Sequence, residues 1–447
     1  MTRRFSVALL LTAVLSAGPA AGLAAQDFGF PDDIAGSGGE DGGFGPLALA
    51  LSGEAAMEIT GYAEEFDDPP DTALEGNFRG RLNFEADGAN VKAVIRLKIN
   101  APDTQYTLGL VAPDEAYLQA YFGDFEFECG LRKLTWGKAD SMGPLDLVNP
   151  FNYASLTNMT DYMENKIAQP LIHLSYRAGP FTKLETVLLP WFSPHRFAET
   201  GRWVSPSSAS LSALLPPGIK PAMPDINKLA YGQAGLRFTT TLGPADIGLQ
   251  YFYGRMHQPA AVTTVDFSTG VPAGIALDFN RYHQIGLDWA QVVAGFNLRA
   301  EAAANITGDL GGDDGAVYNP AILWSFGFDR DLVWGVNLNL QCNESVRLLN
   351  GKVGDNPLAD IEAGSDMTSS RITAVLSKKF LRDDLEVRAT GIWGLEEGDF
   401  LIVPGIYWTI RDVQLTFSAG VFGGDEGGQL GAYRSNSFLT FGIAYSF

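Results

Sequence analysis

The feature that most constrains this chain is the rhythm of its connections. Stretches in which apolar and polar residues alternate with period two are joined by tight turns and long loops taken in turn. The tight ones fall at Asp87-Gly88-Ala89, Gly123-Asp124, Ala178-Gly179-Pro180, Leu242 to Ala245, Ala290-Gln291, Asp329-Arg330-Asp331, Arg382-Asp383 and Arg411-Asp412. Those between are mostly long, notably 136–166, 191–229, 257–278 and 346–367. Gly, Asp and Pro at the short sites suit tight hairpins. A pair of soluble domains has no reason to keep that alternation through eight hairpins. A single sheet running up and down across a bilayer does, with short turns on one side and longer loops on the other.

The predicted strands are 54–66, 74–87, 89–101, 113–122, 124–135, 167–178, 180–190, 230–243, 244–256, 279–290, 291–305, 316–328, 331–345, 368–381, 382–395, 398–411, 412–423 and 434–447. In the last, Leu439, Phe441, Ile443, Tyr445 and Phe447 share one face, and Thr440, Gly442, Ala444 and Ser446 the other. Beyond the N-terminus no segment has about 18 apolar residues without charge, which excludes membrane-spanning helices. Yet the chain is 46% apolar and 11% aromatic despite 51 Gly. A barrel reconciles those figures, because only alternate residues meet lipid. The fold class that follows is all-β, a transmembrane antiparallel up-and-down β-barrel of about eighteen strands, with sixteen as the nearest alternative.

At the N-terminus, Arg3 and Arg4 precede an apolar run from Phe5 to Leu15, the layout of a secretory signal peptide over residues 1–25. Residues 26–52 are Gly- and Asp-rich without periodicity and read as a flexible acidic periplasmic tail, leaving 53–447 for the barrel. The predicted location is the cell outer membrane. A net charge of −21 excludes nucleic acid as a partner. Cys129 and Cys342 both fall in the apolar phase of strands far apart in order, so they read as lipid-facing thiols rather than a disulfide.

If the apolar phase faces lipid, the other phase lines the lumen. It carries Arg79, Arg81, Lys92, Arg96, Lys98, Arg132, Arg177, Lys183, Arg237, Arg299, Arg371 and Arg388, opposed by Glu75, Glu85, Glu126, Glu128, Glu185, Asp288, Glu301 and Glu386. Two readings follow for this modestly basic wall: charges that hydrate it and pair with one another, or a stripe that favours anionic solutes.

The most distinctive stretch runs from Leu131 to Pro150, out of the fifth strand into a long loop. Arg132, Trp136, Gly137, Asp140, Asp146, Asn149 and Pro150 match the pattern Arg, Trp-Gly-x-x-Asp, Asp-x-x-Asn-Pro. With the terminal Tyr445-Ser446-Phe447, this resembles an uncharacterised porin-like outer-membrane barrel family of Gram-negative bacteria. The final alternating strand ending in Phe likewise resembles the signal by which such barrels are assembled, which implies the barrel-assembly machinery as a partner. The resemblance implies a transport role and assigns no substrate. Asp and Asn before Pro form turns by bonding nearby backbone N–H groups, so Trp136, Asp140, Asp146, Asn149 and Pro150 are candidates for a constriction loop folded into the mouth, with covering of the rim as the other possibility. The loop 191–229, rich in Pro, is a candidate lid or binding surface.

Catalysis finds little support. His173-Leu174-Ser175 has the spacing of outer-membrane phospholipases, but Ile172, Leu174 and Tyr176 take the apolar phase and turn His173 and Ser175 away from lipid. His195, His257 and His283 show no ligand spacing. Asp309 to Gly315 departs from the EF-hand pattern and reads as a solvated loop. No catalytic residue, cofactor or metal is therefore assigned. The expected function is porin-like passive diffusion of small hydrophilic solutes, anionic ones on the basic-stripe reading, through a barrel embedded in outer-membrane lipid. The rivals are a polymer-export or lipid-substrate channel, and a surface barrel whose loops bind ligands.

Overall fold

The computed structural model describes residues 48–64, 66–67, 70–71, 73–100, 110–213, 221–266 and 271–447. The signal peptide read at 1–25 and the tail as far as residue 47 lie outside the described residues.

Eighteen strands form one closed antiparallel sheet: β1 (Ala48–Tyr62), β2 (Leu74–Asp87), β3 (Val91–Ile99), β4 (Val111–Phe122), β5 (Phe125–Arg132), β6 (Gln169–Arg177), β7 (Thr182–Leu189), β8 (Gln233–Leu242), β9 (Ala245–Arg255), β10 (Arg281–Val293), β11 (Phe296–Thr307), β12 (Ala321–Asp331), β13 (Val336–Arg347), β14 (Thr368–Phe380), β15 (Leu385–Gly394), β16 (Phe400–Ile410), β17 (Val413–Gly423) and β18 (Phe438–Ser446). Each pairs with its sequence neighbours, and β1 closes the ring on β18 from Glu54 opposite Ser446 to Tyr62 opposite Phe438. Phe447 extends that seam through two backbone hydrogen bonds to Gly53, each 3.0 Å. β1 starts at Ala48, inside the stretch read as tail.

The period-two pattern decides which face meets what. On β6, Gln169, His173 and Ser175 are 1%, 4% and 0% exposed, whereas Ile172 and Leu174 are 41% and 42% exposed. The same inversion recurs around the ring, with Leu236, Leu249, Ile285, Phe326, Leu376, Ile406, Phe417 and Phe441 all on the outside. A continuous apolar exterior is untenable in water and is what a lipid-facing barrel requires.

Six of the eight tight turns fall where the residue pattern puts them, and two are displaced. The β10–β11 turn lies at Ala294-Gly295 rather than Ala290-Gln291, because both residues take positive φ (51° and 80°), the conformation of a two-residue hairpin turn. The β12–β13 turn lies at 332–335 rather than at Asp329 to Asp331, with Trp334 and Gly335 at φ 61° and 69°. Both shifts keep the phase, so Asp288, Arg299 and Glu301 stay on the inner face.

A bulge on β4 opposite Arg96 and Leu97 adds one residue, Asp114, to the inner face beside Glu115. On the long-loop side, two apolar clusters sit inside the ring. One packs Leu134, Trp136 and Val148 against Leu171, Val187, Leu189, Phe252 and Tyr282. The other packs Leu156 and Trp203 against Tyr62, Ile392, Leu401, Phe422 and Phe438. The connections after β5 and β7 therefore fold inward.

Candidate functional site: a loop clamped inside the barrel

Residues 134–150 follow β5 and lie against the inner face of β6 to β13. Leu145, Val148 and Asn149 are fully buried there. The clamp is built from side chains whose strand phase aims them inward. Gln250 Nε2 donates to Leu145 O at 3.0 Å, and Gln284 Nε2 to Pro144 O at 3.0 Å. These amides form a row, Arg237 to Gln250 to Gln284 to Asn305, in which each donates to the next at 2.8 to 3.1 Å. Glu301, 3% exposed, accepts from the backbone N–H groups of Lys138, Ala139 (2.7 Å) and Leu145 (3.3 Å). Gln341 Oε1 accepts from Asp140 N and Ser141 N at 2.9 and 3.2 Å. Asp140 in turn bonds Arg299 and, at 2.7 Å, Asn339.

Two glycines let the backbone come this close. A Cβ on Gly137 would stand 2.2 Å from Glu301 Oε1, and Gly137 also holds φ +93°; a Cβ on Gly143 would stand 2.6 Å from Glu301 Oε2. Trp136 lies edge-on to Phe252, with ring centroids 6.4 Å apart, and fills the space above Gly235.

The loop's two ends are tied by Asn149 and Lys166. Asn149 accepts from Leu134 N at 2.8 Å and donates to Arg132 O and Ile167 O, both at 2.9 Å. Lys166 Nζ reaches Asp146 Oδ2 at 2.6 Å, Leu134 O at 2.8 Å and Thr135 Oγ1 at 2.9 Å. Burial pushes the Asp146 carboxyl up to about 6, opposed by the ammonium beside it. Pro150 is buried and sends its carbonyl to Ile167 N at 2.8 Å. All five residues read from the motif as constriction candidates thus belong to one body inside the ring, resting on its wall rather than on the rim.

The lumen candidates all take the inner phase, and most carry a carboxylate partner. Arg79 meets Glu58 and Arg81 meets Glu164, each at 2.5 Å; Lys92 meets Glu85 at 2.7 Å. Lys98 binds Glu164 at 2.9 Å and Asp114 at 3.3 Å, and Arg96 binds Glu115. Arg132 meets Glu128 at 2.9 Å, Arg177 meets Glu126 at 3.6 Å, Arg237 meets Asp288 at 2.6 Å, and Arg388 meets Glu386 at 2.6 Å. Arg299 pairs with Asp140 and Asp329. Among the described residues Arg371 is the exception in this set: it donates to the neutral amide of Gln429. Where a basic stripe was one reading of the pattern, the geometry is a network of ion pairs.

His173 bridges Glu128 (2.7 Å) and Glu185 (3.2 Å) within this network. Asp309 accepts from Gly311, Gly312 and Asp314 N–H groups and so caps its own loop. Cys129 and Cys342 are free thiols on β5 and β13.

Missing from the sequence reading are Gln250, Gln284, Gln341, Asp114, Glu115, Glu164 and Lys166. The inward phase was a signal for the three glutamines, and Pro113 inside a strand was a signal for the bulge. Nothing in spacing marks Lys166, whose role exists only once the loop has folded back.

The long-loop side also holds a cavity of about 440 Å³, lined by His195, His257, Tyr282, Asn305, Arg347 and Glu362 among others.

A closed eighteen-stranded antiparallel sheet with an apolar exterior and a polar, loop-narrowed interior is a transmembrane β-barrel. The chain is similar in fold to a BenF-like porin from Pseudomonas fluorescens Pf-5, at TM-score 0.50 and 8% identity, covering 90% of this chain and 98% of that one. It is also similar to OccK8 (OprE) of Pseudomonas aeruginosa, at TM-score 0.49, 11% identity and coverage of 91% and 99%. The outer membrane channel DcaP of Acinetobacter baumannii matches at TM-score 0.42, 11% identity and coverage of 90% and 97%. No family model matches the chain, and no curated protein matches it.

Proposed function

We propose that this protein is a porin-like channel of the outer membrane through which small hydrophilic solutes diffuse passively. The observation that carries the reading is the clamped loop. A barrel of this width encloses an aqueous channel unless something fills it. The 134–150 loop is bound to one part of the wall, β6 to β13, while inner-face residues elsewhere, such as Ser377, Thr416 and Thr440, stay partly exposed. The loop is then a constriction, with Trp136, Asp140, Asp146, Asn149 and Pro150 as its frame, and the 440 Å³ cavity is part of the outer mouth.

The lumen cations act mainly in pairs, so ion selectivity is weak, and Arg371 supplies most of what anion preference there is. Export by the signal peptide at 1–25 and assembly through β18 and Phe447 belong to the same reading. Liposomes loaded with the protein and swollen in solutes of graded size test it. Small sugars and amino acids should enter at rates that fall with size, and large oligosaccharides should not enter. A folded barrel that admits none of them contradicts the proposal.

A further inference from the structure

We propose that His195 and His257 form an acid-sensitive latch that holds the outer mouth together, and that protonating either imidazole releases the segment 150–154 from the segment 193–197. This adds regulation to the channel read above, but the contacts that carry it are independent of conduction.

Three connections meet at the pair. Phe151 N–H, from the constriction connection, donates to His195 Nδ1 at 2.9 Å. His195 N–H donates to His257 O at 3.1 Å, which ties in the connection after β9. Arg196 N–H returns to Phe151 O at 3.0 Å, and Asn152-Tyr153 pairs with Arg196-Phe197 as a short parallel ladder. The two imidazole centroids are 5.1 Å apart. His195 lies 6.0 Å from the Phe151 ring and 5.4 Å from Tyr153, and His257 stacks on Phe192 at 5.5 Å. His257 Nε2 is buried without a partner among the described residues.

Chemistry makes this arrangement intolerant of a proton. Nδ1 of His195 accepts from a backbone N–H, so its lone pair is in use and the ring is neutral with hydrogen on Nε2. Protonating Nδ1 sets N–H against N–H and breaks the bond to Phe151. A second charge on His257 would then stand about 5 Å away between aromatic faces, where like charges repel strongly. The groups facing the pair offer little relief. Tyr153, Tyr282 and Tyr318 present phenols, Arg196 and Lys166 are cations on the adjoining segments, and the shared cavity adds Arg347, Glu362 and Asp366. Of the last three, Arg347 and Glu362 are paired at 3.7 Å. Burial alone pulls His195 down to about 4, and burial together with His195 pulls His257 well below its usual range.

The sign follows from linkage. A base whose bound-state value is depressed is protonated preferentially in the released state, so the latch holds above about 6.5 and weakens as pH falls toward 4. For His195 alone, the released form gains by a factor on the order of 30 at pH 5 and on the order of 150 at pH 4.

Hydrogen exchange on the intact protein in micelles tests this. After correction for intrinsic exchange rates, peptides covering 150–154 and 193–197 should lose protection between pH 7 and pH 4 by about those factors, while β6 peptides do not. His195→Asn keeps an acceptor near Nδ1 that does not titrate in this range, and His257→Phe keeps the stacking. The double variant should stay protected at pH 4. Loss of protection in the double variant equal to wild type, or unchanged wild-type protection at pH 4, overturns the latch. The imidazole resonances of the wild type give a check that needs no variant. Midpoints well below 6 that coincide with the loss of protection support the latch, and titration near 6.5 with protection intact refutes it. A protein that fails to conduct but shows this exchange pattern would sink the channel reading and leave the latch standing.

Discussion

Glu301 offers the sharpest test of the clamp. Its carboxylate, 3% exposed, accepts three backbone N–H groups from residues 138, 139 and 145. Hydrogen bonds to a charged group contribute roughly 1.5–3 kcal/mol each, about 6 kcal/mol for three. The desolvation of a buried carboxylate with no cation among those acceptor contacts offsets about half of that. In Glu301→Gln the side-chain carbonyl keeps one acceptor, while the new NH₂ group faces backbone donors. Attachment of the loop should weaken by about 2–4 kcal/mol, which raises its detached population by a factor of roughly 30 to 1000. Gln341, Gln250 and Gln284 still hold neighbouring points, so the barrel itself should fold. In planar bilayers the variant should show larger mean conductance and slow current fluctuations absent from wild type. Unchanged conductance and noise, in a variant shown to be folded by heat-dependent gel mobility, would refute the reasoning.

Other positions give independent checks. Gly137→Ala places a methyl 2.2 Å from Glu301 Oε1 at φ +93°, and should reproduce the noisy phenotype. Asn149→Ala removes three buried hydrogen bonds and should lower the thermal stability of the loop side by about 2–4 kcal/mol, seen as faster proteolysis within 133–168. Arg79→Ala frees Glu58 from a 2.5 Å pair, so reversal potential in a salt gradient should move toward cation preference. Arg371→Ala should move it the same way by removing an uncompensated cation, and neither shift should appear in Lys352→Ala, which is exposed on an outer loop.

Much of the architecture was legible because a barrel strand states its orientation every second residue. The alternation of Ile172, Leu174 and Tyr176 with His173 and Ser175 needed no partner to interpret, and the same logic put the charged residues read for the lumen in the inner phase. Turns were legible at six of the eight sites; Ala294-Gly295 was missed because alanine rarely takes positive φ, and the turn at 332–335 was read early because Asp329 and Asp331, the turn-forming residue type, lie inside the strand. The motif around Asp146 and Asn149 pointed to a structured loop through its turn chemistry. Its destination was hidden, since the clamp depends on residues 105 to 201 positions away in the chain, such as Gln250 for Leu145 and Gln341 for Asp140. Phase says that Gln341 points inward, but nothing local says what it meets. The charge balance of the lumen was hidden for the same reason: a run of Arg and Lys reads as basic until strand pairing sets Glu58 and Asp114 against it and the inward-folded connection brings Glu164.

Whether this barrel conducts past its clamped loop can be read from single-channel recording of the purified wild-type protein in a planar bilayer. The expected result is a stable, ohmic conductance well below that of an unobstructed barrel of eighteen strands, with only slight ion preference. A folded protein that inserts and stays silent, or a current as large as an empty barrel allows, would contradict it.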